Sequence, residues 1–205
     1  MSRCLLRPSA QEIAGNAHEG TSKVFAFQVQ NLFDKSPRRI LEFAATIKST
    51  FEPVIQTSLY PRSQIDIFVQ VIQQDGGLLQ ACINGTTLAL MNAGIPMVDF
   101  VCAVSGGVHS TFSLLDLTQL EESDVPNLTI ALLPKTRKVS LVTMETRLHV
   151  DRFEEIFRLA TDAGLVLHEE MKAAILGRSR ILINSVESQR RGHELPGEDG
   201  RDEFN

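Results

Sequence analysis

The stretch from Ser63 to Gly94, SQIDIFVQVIQQDGGLLQACINGTTLALMNAG, changes hydrophobic period halfway along, and that change constrains the fold more than any other feature of the chain. Ile65, Ile67, Val69 and Val71 alternate with Asp66, Phe68 and Gln70, the period of a strand with one buried face. After Asp75-Gly76-Gly77 the pattern becomes a run of small and apolar residues closed by Gly94 and Pro96, which predicts a helix buried on most sides. Glycines opening a helix leave free N–H groups at the positive end of its dipole, a chemistry suited to phosphate. Two glycines also serve a tight strand-to-helix turn and nothing more, and no Walker or GxGxxG sequence is present to decide between the two.

The flanking segments predict an α+β chain. KVFAFQV predicts a strand, and Ile40, Leu41, Phe43, Ala44, Ile47 and Phe51 predict an amphipathic helix from Pro37 to Pro53 with a basic start. FVCAVSGG, FSLLDL, LTIALLP and VSLVTMET predict four short strands of a mostly antiparallel sheet. Phe153, Ile156, Phe157, Leu159, Ala160, Ala163, Val166 and Leu167 then form a helical stripe, with Asp151 at its start and Gly164 as the place for a kink. Past Asn184 the charged SVESQRRGHELPGEDGRDEFN has no apolar pattern and predicts disorder. The order fits a sandwich with helices on one side of a sheet.

With 205 residues, 43% of them hydrophobic, the chain can bury a core. A net charge of −5 excludes a broad basic footprint, so any nucleic-acid contact must be local. No run reaches the length of a membrane helix, and the first 20 residues lack the apolar core of a signal peptide. Cys4, Cys82 and Cys102 are too scattered for a disulfide framework, and His18, His109, His149, His168 and His193 lack metal-ligand spacing, so no metal or cofactor is expected.

Two clusters remain. Lys35, Arg38 and Arg39 stand at a helix start, where cations oppose the dipole unless an anion compensates. Glu121, Glu122 and Asp124 follow the LLDL strand as acids that could converge on a cleft, although a solvated loop explains them as well.

The block PRSQIDIFVQVIQQDGGLLQACINGTTLALMNAGIPMVDFVCAVSGG resembles the centre of the RNase PH family, phosphorolytic 3′-to-5′ exoribonucleases, and the resemblance extends over residues 36 to 183. The Ile-Pro-Met-x-Asp-Phe-Val-Cys-Ala run and LLDLTQLEE are most similar to RNase PH-like ring subunits of the eukaryotic RNA exosome. The resemblance implies an RNase PH-like sandwich of two βαβ-built halves, an incomplete first half at 31–97 and a second at 98–184, with a divergent or truncated lead at 1–30 and a disordered tail at 185–205. It implies a hetero-hexameric ring of RNase PH-like subunits with cap subunits and a hydrolytic nuclease, single-stranded RNA in the pore, and residence in the nucleus, nucleolus and cytoplasm.

Position by position, Arg39 falls where active members place a phosphate-holding arginine, and Glu42 also matches. Where those members follow Gly-Gly with Thr-Arg, this chain has Leu78 and Leu79. Asp116-Leu117, Glu121 and Glu122 are in register with the acidic motif, but the sixth residue beyond Glu122, an aspartate in active members, is Leu128. Phosphorolysis needs held phosphate, an offsetting cation and a proton for the leaving oxygen. The resemblance therefore implies a non-catalytic member, with Lys35, Arg38, Arg39 and Lys48 as RNA-backbone contacts. The competing expectation is a phosphate-dependent exoribonuclease using Arg39, Glu122 and Asp124; a third is a binding paralogue outside the ring.

Overall fold

The computed structural model describes residues 3–5, 25–31, 37–61, 63–110, 112–144 and 146–192. In chain order these form β1 (Arg3–Leu5), β2 (Phe25–Asn31), α1 (Pro37–Phe51), β3 (Ile65–Gln73), α2 (Leu78–Asn92) and β4 (Cys102–His109). They continue with β5 (Phe112–Leu115), α3 (Gln119–Asp124), β6 (Asn127–Leu133), β7 (Lys138–Met144) and α4 (Val150–Gly192).

The first sheet has the order β1-β3-β2. β2 and β3 run parallel with α1 as their crossover, and β1 adds antiparallel to the far side of β3. Ile67, Val69 and Val71 turn one face of β3 inward against Ile47, Phe51 and Ile83, as its alternation predicts. The second sheet, β5-β4-β6-β7, is antiparallel throughout. Val101, just before β4, and Ala103 within it join the first core, whereas Val104 and Val108 pack with Leu128, Ile130, Ile156 and Ala160 under α4. The second sheet is therefore covered on both faces, and not by helices on one side only. That is why β4 is buried from Cys102 to Val108.

Along part of β4 the edge opposite β6 is closed by side chains and not by a strand, because β5 pairs only with Gly106 to His109. Asn84 Nδ2 donates to the Ala103 carbonyl at 2.8 Å while Asn84 Oδ1 accepts from the Ala103 N–H at 2.7 Å. The Thr87 hydroxyl donates to the Val101 carbonyl at 2.8 Å, and Gln80 Oε1 accepts from the Ser105 N–H. Just ahead of β4, Asp99 accepts from the backbone N–H groups of Phe100, Lys135 and Thr136 and so ties the β6–β7 turn to the start of the strand.

Three expectations change. The acids 121, 122 and 124 lie on α3 and not in a loop, because Thr118 and Glu121 form a reciprocal capping box that starts a helix there. The last helix continues through residues 185–192, where the charge pattern predicts a disordered tail, since no proline or glycine interrupts Ser185 to Arg191; residues 193–205 lie outside the described ones. The helix also runs through Gly164 unbroken. There the missing side chain allows close approach, as a Cβ would come within 2.2 Å of Leu132 Cδ2. The lead expected at 1–30 contains β1 and most of β2, and residues 6–24 lie outside the described ones.

Two measurements test this packing. Asn84→Ala orphans both backbone groups of Ala103 and is expected to cost about 2–4 kcal/mol, read as a lower urea midpoint at unchanged m-value. Gly177, with open space around it, gains about 1 kcal/mol on substitution by Ala from helix propensity. Gly164→Ala gains the same propensity but incurs about 1–3 kcal/mol of overpacking against Leu132. The thermal midpoint is therefore expected to rise for Gly177→Ala and to stay level or fall for Gly164→Ala.

Candidate phosphate and RNA site

The turn between β3 and α2 is left-handed at both glycines, with φ +80° at Gly76 and +58° at Gly77. Gly76 is wedged against the β5–α3 connection: a Cβ there would stand 2.3 Å from the Leu117 carbonyl oxygen and 2.6 Å from the Thr118 carbonyl carbon. Gly77 caps α2, and its N–H donates to Glu122 Oε2 at 3.2 Å. A carboxylate of the chain itself thus sits on the positive end of the helix.

Around it the network is local and acidic. Gln80 Nε2 donates to Asp116 Oδ1 at 2.8 Å, and Asp116 adopts a left-handed φ of +58° while its N–H donates to the Ser105 carbonyl. Glu121 Oε2 accepts from the Thr118 N–H and hydroxyl, each at 2.9 Å. The backbone N–H of Thr118, then its hydroxyl, hold the Glu121 carboxyl below its ordinary value against a small opposing desolvation, with His109 adding to the lowering.

Leu78 and Leu79 are half-buried and pack on the first hydrophobic core. Their side chains offer no donor to a phosphate. Leu128 is 0% exposed inside the second core. A group at that position faces away from the acids, and strand alternation puts its neighbour Asn127 beside them, with Nδ2 donating to the Glu122 carbonyl at 2.8 Å. Counting residues from Glu122 leads to the core-facing side of β6, and an amide stands on the other side. Asp124, at the end of α3, is exposed and receives a hydroxyl contact from Ser123 at 3.4 Å.

Of the expected cationic contacts, Arg38 lies on the exposed surface of α1, where Nε meets Glu42 Oε1 at 3.2 Å. Lys48 is half-buried in the last turn of the same helix. Lys35 and the side chain of Arg39 lie outside the described residues. Sequence reading missed Gln80, Ser105 and Asn127 as organisers of this corner. Thr118-x-x-Glu121 was a legible capping signature. Cys102 is no nucleophile: burial, then the Asp99 carboxylate, push its thiol up to about 12. No cluster of three or more His, Cys, Asp or Glu side chains suited to a metal ion occurs among the described residues.

Two family models match in sequence: domain 1 of the 3′ exoribonuclease family (RNase PH) over residues 21–96 and domain 2 over residues 99–163, together most of the chain. The chain belongs to the RNase PH family. Exosome complex component ski6 of Schizosaccharomyces pombe is 43% identical over 152 residues, 74% of this chain and 63% of that protein. Exosome complex component RRP41 of Mus musculus is 47% identical over 132 residues, 64% of this chain and 54% of that protein. The chain therefore spans less than two thirds of the length of these curated relatives. Rice (Oryza sativa) Rrp46 in its crystal structure shares the fold with a TM-score of 0.66 at 18% identity, over 85% of this chain and 80% of that one.

The Glu122 contact makes a stability claim. Glu122→Ala removes the acceptor for the α2 N-terminus and is expected to cost about 1–2 kcal/mol. Glu122→Gln keeps an acceptor and loses only the charge term, about 0.3–1 kcal/mol. Glu121, lowered in the folded state, contributes stability above the ordinary carboxylate range and loses it as pH falls through its lowered folded value. Urea unfolding between pH 7 and 3 should thus show a shallower acid limb for Glu121→Ala than for the parent.

Proposed function

We propose that the chain is a non-catalytic ring subunit of the RNA exosome, shaping the pore through which single-stranded RNA passes during 3′-to-5′ degradation and rRNA and mRNA processing. Its partners in this reading are other RNase PH-like subunits of a hetero-hexameric ring, cap subunits and a hydrolytic nuclease, in the nucleus, including the nucleolus, and in the cytoplasm. The observation that supports the absence of catalysis is the α2 N-terminus. The Gly77 N–H at the mouth of the helix is engaged by Glu122, the side chains of Leu78 and Leu79 add no donor to the backbone N–H groups there, and Asp116, Glu121 and Asp124 leave the corner negative. Bringing orthophosphate there means setting anion against anion, with no guanidinium at position 79 to offset it. Asn127, which stands on this side of β6, carries an amide that cannot protonate a departing 3′-oxygen.

RNA contact falls in this reading to Lys35, Arg38, Arg39 and Lys48. The exposed Arg38–Glu42 pair is of the kind that contributes little to stability, so an RNA phosphate can replace the carboxylate.

The assembled ring incubated with RNA and orthophosphate is expected to release no nucleoside diphosphates attributable to this chain. Release that Glu122→Gln or Asp124→Asn abolishes would overturn the reading in favour of phosphorolysis. Replacing Arg38 and Lys48 by Ala should weaken RNA protection and reduce the slope of log K against log salt by about 0.7 for each RNA phosphate left without its cation; an unchanged slope removes these residues from the RNA path.

A further inference from the structure

α4 outruns the body it packs on. Its 43 residues extend about 65 Å, and after Met171 every described side chain up to Gln189 is exposed except Ile175, which is half-buried. Such a segment should be polar all round. Instead Leu182 and Ile183 are 54% and 56% exposed, and Leu176 and Val186 are open as well. At 100° per residue these four and Ile175 fall within an arc of about 120°, with Arg178 beyond one margin and Arg180 beyond the other. From Met171 to Val186 the helix carries Lys172, Arg178 and Arg180 and no acid, in a chain of net charge −5. Lys172 is paired with Glu169 at 3.6 Å. Where the helix leaves the body, a groove of about 450 Å³ opens between Gly85, Leu88 and Ala89 of α2 and Ala174, Ile175 and Leu182 of α4.

We propose that this groove and the α4 stripe receive an amphipathic helix from a neighbouring protein subunit, one with an apolar face flanked by aspartate or glutamate. The small residues Gly85, Ala89 and Ala174 let another helix backbone approach closely, and the stripe supplies about three turns of apolar contact. The flanking arginines fix the charge of the partner. A second copy of this chain would set Arg178 and Arg180 against themselves, with Glu187 the one acid between Met171 and Gln189 to answer them. RNA would use the arginines but leave five aliphatic side chains in water. The identity of the partner as another ring subunit rests on the function proposed above; the chemistry of the surface does not.

The test uses the full chain, tagged, with a photoactivatable phenylalanine derivative replacing Ile183, purified from cells with its associated subunits and irradiated. The expected product is a cross-link to a helical segment of an associated subunit that has an acid within one turn. Arg178→Glu with Arg180→Glu is expected to lower its yield about 10-fold, leaving the circular dichroism of the chain unchanged, and the reciprocal acid-to-lysine change in the captured segment is expected to restore it. A cross-link to another copy, to RNA, to lipid or to an acid-free segment overturns the inference. So does no cross-link at all when the associated subunits are fully recovered, a result that leaves the ring reading intact. Recovery of the chain without RNase PH-like subunits overturns that reading, and the inference still stands or falls on what Ile183 captures: an acid-bearing helix of a different associated protein supports it, and no such capture sinks it.

Discussion

Gln80, Asn84 and Thr87 project from α2 at helical spacing, and the backbone groups they engage, on Ser105, Ala103 and Val101, are spaced by two along β4 and the residue before it. One helical turn rises about 5.4 Å and two strand residues about 6.7 Å, so the two repeats stay in step for three contacts before they drift apart. α2 therefore runs antiparallel to β4 at a fixed distance and serves as a substitute neighbouring strand. An open edge of a half-buried sheet is otherwise a row of unsatisfied donors and acceptors, costly to bury and prone to pair with other chains. Both hydrophobic cores depend on this seam, since β4 sends alternate side chains to each.

The seam also fixes the corner where chemistry would occur. Once α2 is locked in register, its first turn must meet the segment after β5, and Gly76 has no room for a side chain against the Leu117 carbonyl. Gly76 is thus required by packing and Gly77 by its left-handed φ, so the Gly-Gly pair is needed whether or not phosphate binds. Its persistence beside Leu78 and Leu79 carries no message about catalysis, and the sequence alone could not choose between the two readings of that turn. The message lies in what meets the free N–H. Glu122 supplies the charge that a bound anion would otherwise supply. A corner that satisfies its own helix dipole needs no bound anion to offset it.

Periodicity made β3 and the first half of α4 legible because their apolar residues answer to one face each. What stayed hidden depends on contacts far apart in sequence. A glutamine, an asparagine and a threonine in an apolar helix read as neutral until the strand edge beside them is known. Leu128 shows the opposite difficulty. Counting along a motif gives a residue, but only the parity of β6 tells which side of the sheet it faces, and parity puts Leu128 in the core and Asn127 at the corner. The capping box at Thr118 was readable, and weighing it against the charge run would have placed α3 correctly.

The far end of α4 follows from the same reasoning about satisfied and unsatisfied surfaces. Over its first six turns or so the helix is held by Ile156, Ala160 and Met171 against the second sheet. Beyond Met171 it keeps its backbone hydrogen bonds but buries almost nothing, and an isolated helix of about 20 residues with branched side chains is marginal in water. Ile181, Leu182 and Ile183 in succession are poor choices for a solvated helix, which makes the segment costly as a free end and reasonable as half of an interface. An acidic chain that gathers arginines along the margins of one apolar stripe has the attributes of a selective contact: burial supplies the attraction, and the arginines exclude copies of itself. At Gly77 one carboxylate of the chain answers the helix end, and on α4 the arginines are left facing solvent.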